Sequence, residues 1–230
     1  MAGISELETD AALAGGVRIR QATAGDAEFL GWVMLTAARS HLEVGIWEYI
    51  NGQTGDQTLE YLRRLAVTET EHWCHWSRFL IAEVDGHPAA AMCGFEPEAH
   101  GMHVMLEVLP AVLEASGITE ADFPGLMERG AVVTAVNSDY AEGAWVVENV
   151  ATVPGYRRRG LVDALLARIL ADGRALGYPR AQISVLIGNE PARNAYLKAG
   201  FEPDSEKRSP EFEAALGSPG LERLLQPLLA

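Results

Sequence analysis

The chain has 230 residues, with 18 Lys plus Arg against 32 Asp plus Glu, so its formal charge is −14. At 48% hydrophobic and 22% charged residues it is neither disordered nor fibrous, and it fits one large globular domain. No apolar run approaches the ~20 residues of a membrane helix, the acidic start MAGISELETDAALAGG lacks a signal peptide's basic and apolar regions, and two cysteines make no disulfide framework.

A cytoplasmic location with no membrane partner is therefore expected. The acidity, with no basic cluster beyond Arg157, Arg158 and Arg159, argues against nucleic acid. It favours a cationic substrate, or serves solubility alone.

Residues 1–16 read as a flexible tail, and 17–230 as a single domain. The stretch 17–22 alternates as VRIRQA and reads as a strand. Thr23 and Asp26 resemble a capping box ahead of a helix carrying Phe29, Leu30, Val33, Met34 and Ala37 at helical spacing. A second helix is predicted over about 58–68. Residues 78–84 read as a strand, and Asp85-Gly86 as a hairpin turn into an antiparallel partner at 87–95. The stretch at about 96–143 reads as a helical insertion. A strand over 145–153, a helix over 161–176 stopped by Gly177, a strand over 181–187 and a short helix over 191–199 follow. Residues 217–230 fit strand and helix equally. The order implies an α/β sheet of mixed direction.

The informative segment is VENVATVPGYRRRGLVDALL, residues 147–166. A strand ends at Val153, a turn holds Pro154 and Gly155, and a helix begins near Gly160. Helix-start amides lack internal partners, the helix dipole adds positive charge there, and Gly lets an anion approach the backbone. With Arg157 to Arg159 alongside, the segment suits a pyrophosphate. The alternative is a set of arginines on a solvated turn. The loop is neither a Walker loop nor GxGxxG.

Arg157-Arg158-Arg159-Gly160-Leu161-Val162 resembles the Arg/Gln-x-x-Gly-x-Gly/Ala signature of the GNAT acyltransferases (GCN5-related N-acetyltransferases), with Val162 in place of the usual small residue. Asn189 to Phe201, NEPARNAYLKAGF, resembles that family's Asn-x-x-Ala-x-x-x-Tyr-x-x-x-Gly-Phe motif, one helix and one strand later. The resemblance implies the GNAT fold: a mixed, mostly antiparallel central sheet with a splayed parallel strand pair, flanked by helices. It implies acetyl transfer from acetyl-CoA, the acyl donor, to a primary amine by direct attack in a ternary complex. The acceptor would be a small molecule or a protein amino group. It also implies a pantetheine arm along Val150, Ala151, Thr152 and Val153, like an added strand. The pyrophosphate would lie on Arg157, Arg158, Arg159, Gly160, Leu161 and Val162. A homodimer is a family analogy only.

Within that reading Tyr196 matches the acid for the leaving thiolate, or packs its ring under the sheet. Asn189 matches a pantetheine contact, or caps the helix before Pro191. Glu148 is the candidate base, or a structural carboxylate. Asn149 is expected on the opposite face of the strand, and Asp139, Tyr140 and Glu142 at its mouth. His41, Trp47 and Tyr49 could shape the acceptor pocket, or only pack. His72, Cys74 and His75 lack further clustered ligands, so no metal is expected. Cys93 reads as a buried structural cysteine. A catalytically silent CoA-binding sensor or scaffold is the alternative function, and a longer acyl chain the alternative donor.

Overall fold

A computed structural model describes residues 11–13 and 16–229. Eight strands form one sheet: β1 (Ala11–Leu13), β2 (Val17–Gln21), β3 (Phe79–Val84), β4 (His87–Phe95), β5 (Ala144–Thr152), β6 (Arg180–Leu186), β7 (Glu202–Arg208) and β8 (Gly220–Pro227). The helices are α1 (Ala27–Arg39), α2 (Ile46–Asn51), α3 (Gly55–Leu65), α4 (Pro97–His100), α5 (Met102–Ala115), α6 (Phe123–Thr134), α7 (Leu161–Ala175), α8 (Glu190–Lys198) and α9 (Pro210–Leu216). The spatial order is β1-β2-β3-β4-β5-β6-β8-β7. Among the described residues only β5 and β6 run parallel, so the sheet is mixed and mostly antiparallel with one parallel pair, as expected.

Local rules explain most elements. The Thr23 amide and hydroxyl both reach the Asp26 carboxylate, at 2.8 and 2.9 Å, which closes the predicted capping box. Asp85 and Gly86 take φ of 52° and 79°, the left-handed pair that a two-residue hairpin requires. The second helix is α3, which starts three residues earlier than its predicted 58. The Thr54 and Gln57 pair caps it there, with bonds of 3.2 and 3.0 Å. The insertion contains α4, α5 and α6.

Of the expected tail over 1–16, residues 1–10, 14 and 15 lie outside the described residues, while Ala11–Leu13 pairs with Val17 to Ile19. Among the described residues no single helix is long and apolar enough to cross a membrane.

Two cores lie on opposite faces of the sheet. Leu30, Val33 and Met34 of α1 and Tyr61, Leu62 and Leu65 of α3 pack on one face, against Phe79, Ala91, Cys93, Phe95 and Val146. Leu161, Leu165, Leu166 and Ile169 of α7, with Tyr196 and Phe201, pack on the other, against Met92, Trp145, Val147 and Ile183. Strand β4 is buried on both faces along most of its length, so its run of small apolar residues is that of a central strand.

Candidate active site

The site begins where β5 and β6 part. Their register runs Ala144↔Arg180 to Val147↔Ile183 and stops there, although β5 continues to Thr152 and β6 to Leu186. Beyond the fork, β6 pairs with β8 and β5 with β4. The edge of β5 that faces β6 is left open from Glu148 onward, over the stretch expected to carry an added strand.

At the same level β5 carries a bulge against β4. Ala91 pairs with Ala151 and Cys93 with Glu148, so Asn149 and Val150 together stand opposite Met92. Asn149 takes φ 55° to do so, a left-handed conformation that Asn tolerates better than most side chains. This corrects the expected placement of Asn149. In a regular strand it would face away from Glu148, but its Nδ2 donates to Cys93 Sγ at 3.5 Å, on the α1 face.

Glu148 is half-buried at the fork, and desolvation alone pushes its carboxyl up to about 7. Around it stand Cys93, Cys74 and Tyr140, each of which feels its charge. Burial also raises both thiols and both tyrosine hydroxyls, of Tyr140 and Tyr196, so all four stay protonated at neutral pH. A buried protonated Cys93 with no paired His is unsuited to nucleophilic attack. Tyr196 is 6% exposed and packs edge-on against Phe201, in the core beneath α7.

The loop after β5 presents free amides and arginines. A short helical turn at Pro154–Tyr156 leads to Arg157, then Arg158 at φ 62° and Gly160 at φ 76°. Among the described residues the amides of Arg158, Arg159 and Gly160 have no acceptor, and α7 starts immediately behind them. Successive amides at a left-handed turn and a helix start form a concave anion cradle. Arg157, Arg158 and Arg159 are exposed, and among the described residues none has a carboxylate within 4.0 Å. Arg159 lies 5.1 Å over the Tyr156 ring, which orients it. Leu161 is buried under the helix start and Val162 packs toward the same core.

Asn189 caps α8, its Oδ1 accepting from the Ala192 amide at 3.2 Å. Its Nδ2 donates to Ser40 Oγ at 2.5 Å, tying the end of α1 to the loop after β6. Ser40 lies within 3.3 Å of His41 Nδ1, and His41 sits against Gly188. Trp47 stacks obliquely on Tyr61 at 6.0 Å and Tyr49 packs beside α6 and α9, which gives both a packing role.

Beside the base of the fork is a cavity of about 500 Å³ lined by Glu96, Glu98, His103, Tyr140, Glu142 and Tyr178 among others. Tyr140 joins it to the fork, since its ring meets Phe95 at 5.8 Å on the Glu148 face. Tyr140 and Glu142 thus stand at the expected mouth. Asp139 points away, 3.9 Å from Lys207. Glu96 and Glu98 were not legible as site residues, because nothing in sequence brings the end of β4 beside the start of β5. His72 is fully buried, accepting from the Cys74 amide at 3.2 Å and meeting Thr68 Oγ1 at 3.1 Å. With Nδ1 accepting, the imidazole is neutral.

Residues 122–201 match the family described as Acetyltransferase (GNAT) family. No curated protein matches the sequence. Among solved structures, an acetyltransferase of unstated source aligns with TM-score 0.64 at 18% identity, covering 92% of this chain and 99% of its own. An N-acetyltransferase from Staphylococcus aureus Mu50 aligns with TM-score 0.60 at 18% identity, over 90% of this chain and 98% of its own. Residues 122–201 thus match the GNAT acetyltransferase family model, and the chain around them has the fold of these solved acetyltransferases.

Proposed function

We propose that the protein transfers an acetyl group from acetyl-CoA to a primary amine by direct attack in a ternary complex. The observation that carries this is the coincidence, at one fork, of an open strand edge, an anion cradle and a half-buried carboxylate poised near neutrality. The residues fit the donor. The amides of Arg158 to Val162 and the side chains of Arg157 to Arg159 suit a pyrophosphate, and the open edge from Val150 to Val153 suits an amide-bearing arm. Bound there, acetyl-CoA supplies an activated acyl carbon.

The chain's own groups do the rest. Glu148 takes the proton of the ammonium, directly or through a water, since only a neutral amine attacks. An unpaired amide of β5 beyond the fork receives the developing oxyanion. As the N–C bond forms and the C–S bond breaks, the attacking nitrogen loses its second proton to water, while Tyr196 donates its phenol proton to the sulfur and recovers one from solvent. Its raised pKa keeps that proton available. Glu148 faces the α1 side and Tyr196 the α7 side, so a ligand lying in the gap is what would bring them to one reaction. The acidic cavity at Tyr140 suits the acceptor and favours one with a second positive charge.

The test is acetyl transfer across a panel of monoamines, diamines and basic peptides, with Glu148→Gln and Tyr196→Phe alongside. Diamine turnover that drops at least ~100-fold in Glu148→Gln supports the reading. A wild type silent across the whole panel overturns it.

A further inference from the structure

A cysteine stands at the fork. Cys93 lies on β4 directly opposite Glu148 and is fully buried. Its thiol makes two contacts. The S–H donates to the Glu148 carbonyl at 3.3 Å, and the sulfur accepts from Asn149 Nδ2 at 3.5 Å. One partner, Asn149, is a bulged residue of β5, and the other, Glu148, is the paired residue that immediately precedes the bulge. The bulge places a non-glycine residue at φ 55°, a conformation that side chains disfavour and that surrounding contacts must hold. The Asn149 side chain and the Glu148 backbone are thereby tied to one sulfur atom immediately beyond Val147, the last β5 residue paired with β6.

We propose that Cys93 is a positioning residue for the acyl-transfer site: its thiol staples the β5 bulge and so aims Glu148 and Asn149 together onto the α1 face of the fork. This rests on the functional reading above. A regular β5 without the bulge would send Asn149 and each residue beyond it to the wrong face by one position. The open edge that receives the donor would then be out of phase with Glu148. Three side chains besides Asn149 face Glu148 and would sense its reorientation: Cys93 from β4, Cys74 from the loop before β3, and Tyr140 from the loop before β5.

The test compares Cys93→Val, Cys93→Ser and Asn149→Gly in the full chain. Valine fills the volume without the hydrogen bonds. Serine keeps a donor and an acceptor, and glycine at 149 relieves the backbone while losing the amide. In Cys93→Val, kcat falls about tenfold or more with KM for acetyl-CoA within about threefold, as expected when a base is misaimed and donor binding is kept. The acidic limb of its pH–kcat profile also moves. Cys93→Ser recovers most of kcat, and Asn149→Gly keeps more activity than Asn149→Val. Glu148 is also titrated by carbon NMR, with its signal assigned by Glu148→Gln, so that one readout does not depend on turnover. A Glu148 midpoint and pH profile unchanged in Cys93→Val overturn the proposal while leaving the acetyl-transfer reading intact. A wild type that transfers nothing, yet whose Glu148 midpoint shifts in Cys93→Val, removes the function and keeps the staple. If Cys93→Val does not fold, Cys93→Ser with unrecovered kcat overturns the proposal.

Discussion

In the proposed function Glu148 has conflicting roles in catalysis and in stability. Its carboxyl titrates near 7 in the fold against 4.5 when free. A folded pKa above the unfolded one means the native state prefers the protonated form, so ionisation opposes folding as pH rises from 4.5 through 7. Glu148→Gln is therefore expected to lose turnover and to gain about 1–3 kcal/mol of stability at pH 8, with little change at pH 4. Denaturant unfolding at the two pH values reads this, and equal stability at both would contradict it. The same carboxyl predicts that kcat/KM climbs with pH through about 7. His72 works in the opposite direction. Burial lowers its pKa from 6.5 to about 4, so its neutral form stabilises the fold fully above pH 6.5. That contribution is lost as pH falls toward 4, by on the order of 3 kcal/mol. His75 and His100 shift the same way. The melting temperature should fall steeply below pH 6, and less steeply in His72→Gln.

At the scale of elements, the α7 entry makes the sharpest prediction. Gly160 holds φ 76°, and a side chain there meets nothing within 4 Å. Gly160→Val thus strains the backbone without a clash, by about 1–2 kcal/mol, and disturbs the amides behind the arginines. Denaturant unfolding and acetyl-CoA calorimetry should report both losses; unchanged affinity would remove the cradle's role.

Which elements were legible follows from how they are stabilised. The hairpin, α7 and α8 carry their signals locally: Asp85-Gly86, the periodic leucines of α7, and Asn189 ahead of Pro191. Strand β7, EPDSEKR, has no apolar residue but Pro203 and is a charged edge strand with no periodic signal. Strand β8 was ambiguous because Leu221, Leu224, Leu225 and Leu228 also fit helical spacing. Pairing with β6 and β7 on both sides decides it. The bulge escaped the sequence because alternation assigned Asn149 by position, whereas the extra residue is set by long-range pairing to β4. The two motifs fall on the loop before α7 and on α8, whose local conformations depend on residues close in sequence.

For the whole molecule, the net charge of −14 surrounds a locally positive loop at Arg157 to Arg159. A cationic acceptor should therefore associate faster at low ionic strength, and its KM should rise with salt as the field is screened. The donor, itself anionic, depends instead on the local cradle. The central claim is that this cradle and fork bind acetyl-CoA, and calorimetric titration of the purified chain with acetyl-CoA and free CoA tests it most directly. Micromolar binding of both is predicted, weakened at least about tenfold in the Arg157→Glu, Arg159→Glu double variant by the loss of charge-assisted bonds. No binding to either ligand, or binding that the double variant leaves unchanged, would contradict it.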